Sequence, residues 1–107
     1  MKDFIDFTTG EYIDNTAKYT EITRLNKMFL NDGLTAKLKR LYDGYQLKID
    51  GYDFDVIEHH GSYGQQQDRL EIMGLYTMVE CDGDRVLGYL TAEEIYNKFY
   101  EVYPKQV

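Results

Sequence analysis

The residues of this chain best suited to chemistry are the adjacent His59 and His60, which follow Glu58 and lie downstream of Asp53 and Asp55. Imidazole and carboxylate together can ligate a transition metal. Adjacent strand residues point to opposite faces, however, so the two imidazoles would meet one ion only at a bulge. No His-x-His or His-Glu-x-x-His spacing accompanies them. The simpler reading puts one His near a sheet edge and one at a loop entrance, and no metal site is expected. Gly61-Ser62-Tyr63-Gly64 lacks both the lysine of a phosphate loop and the G-x-S-x-G elbow. A Ser62–His60 pair would still need an orienting acid and an oxyanion hole, so a mobile polar loop is expected over 61–68. Asp50, Asp53 and Asp55, like Asp82 and Asp84, have neither the EF-hand register nor its terminal bidentate Glu. They read as a solvated acidic rim. Cys81 has no legible basic neighbour, which leaves a reactive thiol unsupported. No catalytic residue and no cofactor is expected.

Composition narrows the classes further. The chain has 107 residues, 12 Lys+Arg against 19 Asp+Glu, and a net charge of −7. Such a chain lacks the surplus cations that neutralise phosphates, so direct nucleic-acid binding is not expected. At 43% hydrophobic residues it is too apolar for a disordered acidic tail. No apolar run approaches the roughly 20 residues that span a bilayer, and the N-terminus does not read as a signal peptide. One Cys excludes an internal disulfide framework and fits a reducing cytosol. No linker or internal repeat divides the chain, so residues 1–107 read as a single domain.

The elements that must position these groups follow from periodicity. Residues 1–14 are either a short strand or an arm packed on the core. Residues 16–31 read as a helix capped by Asn15 or Thr16, with Ile22, Leu25 and Phe29 on one face and Gly33 as its stop. Asp43-Gly44 between alternating runs predicts a hairpin pairing Tyr42 with Tyr45, Arg40 with Leu47 and Leu38 with Ile49. Lys39 then faces Lys48. The competing reading makes 35–42 a second helix. Strands are expected over 53–58 and 70–75, with 76–87 irregular and a turn at Asp82-Gly83-Asp84. Thr91-Ala92-Glu93-Glu94 is a capping box that opens a helix with the stripe Ala92, Ile95, Tyr96, Phe99, Val102 and Tyr103, closed by Pro104. The fold class is α+β: a small antiparallel sheet of three to four strands, with an N-terminal and a C-terminal helix on one face.

Three segments carry a family resemblance: Arg40-Leu41-Tyr42-Asp43-Gly44-Tyr45-Gln46, Ile57-Glu58-His59-His60-Gly61-Ser62-Tyr63-Gly64, and Leu70–Leu75 continuing to Val86-Leu87-Gly88-Tyr89-Leu90-Thr91-Ala92-Glu93-Glu94. The chain resembles small, uncharacterised proteins encoded by phages and prophages of Gram-positive bacteria, over about residues 25–103. The resemblance implies a phage or mobile-element origin and the cytoplasm of a bacterial host. It carries over no catalytic residues.

With 11 Tyr and no Trp, the tyrosines invite two readings. Tyr89, Tyr96 and Tyr103 read as core, whereas Tyr42, Tyr45, Tyr52 and Tyr63, near turns, suit a contact surface. Asp50, Asp53, Asp55, Glu58, Asp82 and Asp84, with Glu93, Glu94 and Glu101 on the last helix, can imitate nucleic-acid phosphates toward a basic groove. The expectation is a non-enzymatic phage inhibitor of a host nucleic-acid-handling defence protein. Its concrete form is an anti-CRISPR protein that blocks a Cas effector, as monomer or homodimer, with no membrane partner. The rivals are a structural or regulatory phage accessory, which could act as a homodimer, and a metal-dependent hydrolase using His59 and His60.

Overall fold

The computed structural model describes residues 19–105. In order along the chain it contains α1 (Thr20–Asn31), β1 (Ala36–Leu41), β2 (Gly44–Ile49), β3 (Asp55–Glu58), a short 3-10 turn (Gln65–Gln67), β4 (Leu70–Met73), β5 (Val86–Leu90) and α2 (Ala92–Val102). The strands form one antiparallel sheet in the order β1-β2-β3-β4-β5. The architecture is α+β as the periodicities predict, with five strands rather than three or four. The additional strand, β5, escapes a pattern-based reading because Gly88 and a left-handed Tyr89 (φ 62°) interrupt its alternation. Its pairing with β4 also shifts register between Leu70 and Ile72.

Residues 36–41 are strand, not helix, and the hairpin turn is centred one residue earlier than expected. Leu41 pairs with Gly44, Arg40 with Tyr45 and Leu38 with Leu47, so Tyr42 and Asp43 form the loop. The cause lies across the sheet: a side chain on Gly44 would place its Cβ 1.8 Å from the backbone carbonyl oxygen of Glu58. Glycine is required there for close approach at the start of β2, and Tyr42 takes the positive φ of 56° instead. Each residue's partner moves by two positions, so the alternation survives and the same side chains face inward. Lys48 therefore faces Lys37 rather than Lys39. Acids relieve the repulsion: Lys37 reaches Asp50 at 3.1 Å, and Asp55 lies opposite Lys48 on the β3 side.

Both helices cover one face. Ile22, Leu25 and Phe29 of α1 and Ala92, Ile95 and Phe99 of α2 are buried against Leu47, Ile49, Val56, Leu70 and Ile72. The helices run in the same direction, with Arg24 bonded to Glu93 near their starts and Tyr96 and Tyr100 bonded to Asp32 near their ends. The α2 capping box forms as expected: Glu94 N–H donates to Thr91 Oγ1 at 3.2 Å, and Thr91 N–H donates to Glu94 Oε1 at 2.8 Å. Helix α1 begins at Thr20 rather than 16, and its N-cap Tyr19 is left-handed with no side-chain cap. Asn15 and Thr16, and the segment 1–14, lie outside the described residues. A distant carboxylate caps α1 instead: Asp68 Oδ1 accepts the Glu21 N–H at 3.5 Å. Glu21 in turn accepts the Ala92 N–H at 2.7 Å, so α1 caps α2.

Candidate functional site

Strand order divides the polar groups between two ends of the sheet. Helix starts, the β1–β2 turn and the 59–69 connection lie at the first end; helix ends, the 50–54 turn and the 74–85 connection lie at the second. A six-residue strand such as β2 separates them by about 20 Å. The expected contact residues are thereby scattered. Tyr42 and Tyr63 lie at the first end, both exposed. Asp50, Tyr52, Asp53, Asp82 and Asp84 lie at the second.

Several expected contacts are structural. Tyr45 is only 2% exposed and Glu58 is fully buried. The pleat explains both: in the observed register Tyr45 lies opposite Glu58, and both point to the helix side. Tyr45 meets Tyr19 edge-on at 5.2 Å. Burial pushes the Asp68 carboxyl, whose neighbours include Glu58, up from its ordinary value of 3.8. Burial also raises the Tyr19 hydroxyl to about 12, with the charges of Asp43 and Glu58 adding to the effect. Tyr52 packs against Phe99 and Tyr103 at 4.9 Å from each ring. Asp55 faces the open side and accepts from Gln46 Nε2 at 3.0 Å. Conversely, Tyr89 and Tyr103, both expected in the core, are exposed.

The first end brings together groups that alternation would keep apart. Strand β3 stops at Glu58, so His59 and His60 lie in a turn to which the two-face rule does not extend. Asp43 Oδ1 accepts from the His60 N–H at 2.8 Å and lies 2.9 Å from His60 Nδ1. Burial by itself pushes the Asp43 carboxyl up, but the His60 backbone and ring bonds outweigh it and hold the group below the ordinary carboxylate value. The Tyr42 ring meets both imidazoles edge-on. Ser62 fixes the turn: its Oγ accepts from the His59 N–H and donates to the His59 carbonyl.

The second end is a projecting, ordered tip. Thr77 and Glu80 cap each other, with Thr77 N–H donating to Glu80 Oε1 at 2.8 Å and Glu80 N–H donating to Thr77 Oγ1 at 3.1 Å. Backbone bonds from Cys81 to Thr77, Gly83 to Met78 and Asp84 to Cys81 close consecutive turns, and Cys81 packs inward. Lys98 of α2 holds Glu80 at 2.7 Å, lowering that carboxyl below its ordinary value. What the tip turns outward is apolar and acidic. Val79 is 89% and Met78 61% exposed, beside Asp82 and Asp84. Asp53 adjoins the same connection, since a side chain on Gly74 would strike the Asp53 carbonyl. Among the described residues no cation pairs with Asp53, Asp82 or Asp84. The last turns of α1 and α2 contain no basic residue, but Lys105 stands beyond α2 and lies 3.8 Å from Asp32, the α1 C-cap.

The acids of this tip stand out in the sequence, whereas Met78 and Val79 do not. The signal that could have found them is an apolar pair inside an otherwise polar connection. Comparison with family models, curated proteins and solved structures returned no match. No helix among the described residues is long and apolar enough to cross a membrane.

Proposed function

We propose that this protein is a non-enzymatic, phage-encoded inhibitor whose 74–85 tip and Asp53 engage the basic nucleic-acid groove of a host defence protein, a Cas effector being the concrete case. The observation that supports this reading is the tip itself. It sets an apolar pair, Met78 and Val79, on a hydrogen-bonded loop beside Asp82 and Asp84, with which no cation among the described residues pairs. An apolar centre with a charged surround is how binding energy is commonly concentrated. Carboxylates around it give steering and recognition by Lys and Arg. The order of the loop lowers the entropy lost on docking.

The test is capture of partners from a Gram-positive lysate with the wild-type chain, with D53K/D82K/D84K and with M78A/V79A, at low and high salt. The reading requires a nucleic-acid enzyme that is retained at low salt, released at high salt and lost with either variant. A partner retained by both variants at high salt overturns it.

A second reading, an accessory protein acting as a homodimer through its last helix, rests on one surface feature. Leu34, Tyr52, Val102 and Tyr103 line an open apolar concavity at the end of α2, and Val102 and Tyr103 are exposed there. Light scattering separates the two: a stable dimer dissociated by V102D, with no host partner captured, favours the accessory. Pairing through the β1 edge has less support, because Lys37, Lys39 and Arg40 place a row of cations on that edge strand.

A further inference from the structure

We propose that Asp43, His59 and His60 form a binding site for a divalent transition-metal ion of the zinc type. One donor atom from each of the three residues lies within 4.8 Å of the other two. Two imidazoles and a carboxylate select zinc, nickel or copper over magnesium or calcium, which prefer all-oxygen shells. Three protein donors leave the remaining coordination positions to water.

The residues are already held near that geometry by groups that are not ligands. Tyr42 stands edge-on to His59 at 5.1 Å and to His60 at 6.1 Å. Ser62 pins the backbone of His59 from both sides at 3.0 and 2.9 Å. The His60 N–H fixes Asp43 Oδ1 at 2.8 Å, and the Tyr19 hydroxyl holds the Asp43 carbonyl. Such outer partners orient metal ligands and limit what each ligand must give up in freedom. An ion between these residues replaces the 2.9 Å contact of His60 Nδ1 with Asp43 Oδ1 and, where His59 Nδ1 is the ligand, the Gly61 N–H bond to it at 3.0 Å. His60 and Asp43 are both exposed, so the site opens directly to solvent. It joins the β1–β2 turn to the connection after β3, so an ion there clamps two loops that otherwise meet through hydrogen bonds and the Tyr42 ring. Binding to the native state alone raises stability by mass action.

The experiment is titration of the untagged full chain with zinc chloride by calorimetry, with magnesium chloride as the control. The His Cε1–H resonances and the thermal midpoint are followed in the same samples. The expected result is saturation at one ion per chain, displacement of both His resonances, and a rise in Tm with zinc but not magnesium. H59A and H60A weaken binding by more than about tenfold and D43N by about tenfold, while C81S leaves it unchanged. No saturable binding overturns the proposal. So does binding that survives H59A and H60A, or that disappears with C81S. The resonances of the wild-type chain decide the matter independently of how any variant folds: if neither moves as zinc is added, these histidines are not ligands.

Discussion

At the histidine end of the sheet the polar groups face one another, and at the acidic end they face outward. Asp43 is engaged by His60, His59 is held by Ser62, and Tyr42 closes over both rings. At the tip, the backbone and the Thr77–Glu80 pair satisfy the loop internally, which frees Met78, Val79, Asp82 and Asp84 to project. The difference shows two ways a connection can be ordered. Where side chains supply the order, they converge and can share a ligand. Where local turns supply it, the side chains remain available to a partner.

Replacing one glycine at each end should separate the two regions most strongly. Gly44→Ala should cost about 3 kcal/mol or more, because its Cβ would overlap the Glu58 carbonyl, which is backbone and cannot swing away. Gly83→Ala meets nothing within 4 Å and should cost only about 1 kcal/mol, from its φ of 83°. Urea unfolding of both variants checks this. Equal losses would mean that the histidine end is no more tightly packed than the tip.

A smaller effect of opposite sign is expected at Asp68. Asp68→Asn keeps an acceptor for the Glu21 N–H, gains a donor for Glu58, and removes a buried charge beside another carboxyl. It should stabilise by about 1 kcal/mol at neutral pH, or roughly 4–8 °C in Tm. The native carboxyl sits above its unfolded value, so protonation favours the folded state. The wild type therefore recovers stability from this group as pH falls through the raised native value toward 3.8. The advantage of D68N should shrink over that window. An advantage independent of pH would show that charge is not what burdens the site.

The smallest stability effect belongs to the tip. M78A/V79A should shift the unfolding free energy by less than about 0.5 kcal/mol, since both side chains are largely in water. A loss above about 1 kcal/mol would mean that these residues pack onto the fold and are not a contact surface.

Legibility in the sequence follows the range of the interactions. The α2 cap is readable because Thr91 and Glu94 close their bonds within one turn. The α1 stripe is readable because Ile22, Leu25 and Phe29 recur at the helical period. The α1 cap is not, because its partner, Asp68, lies 47 residues away. The hairpin is legible but the centre of its turn is not, since Asp43-Gly44 carries the usual turn signature while Gly44 is needed for contact with β3. Tyr45 and Glu58 look like surface residues beside a turn. Their direction depends on where each strand starts and stops, which a run of residues leaves open by one or two positions.

Legible without the fold were the buried stripe of α1, that of α2 as far as Phe99, the alternating β2 and β3 segments, the acidic balance of −7 and the want of a recognisable catalytic motif. These depend on periodicity, composition or bonds a few residues long. Tertiary structure alone decided that Asp43 meets His59 and His60, that Asp68 and Glu21 cap the two helices, and that Asp53 joins Asp82 and Asp84 at one end. Each of those meetings follows from strand order and register, which are set by burying the whole sheet face at once rather than by any residue's neighbours in the chain.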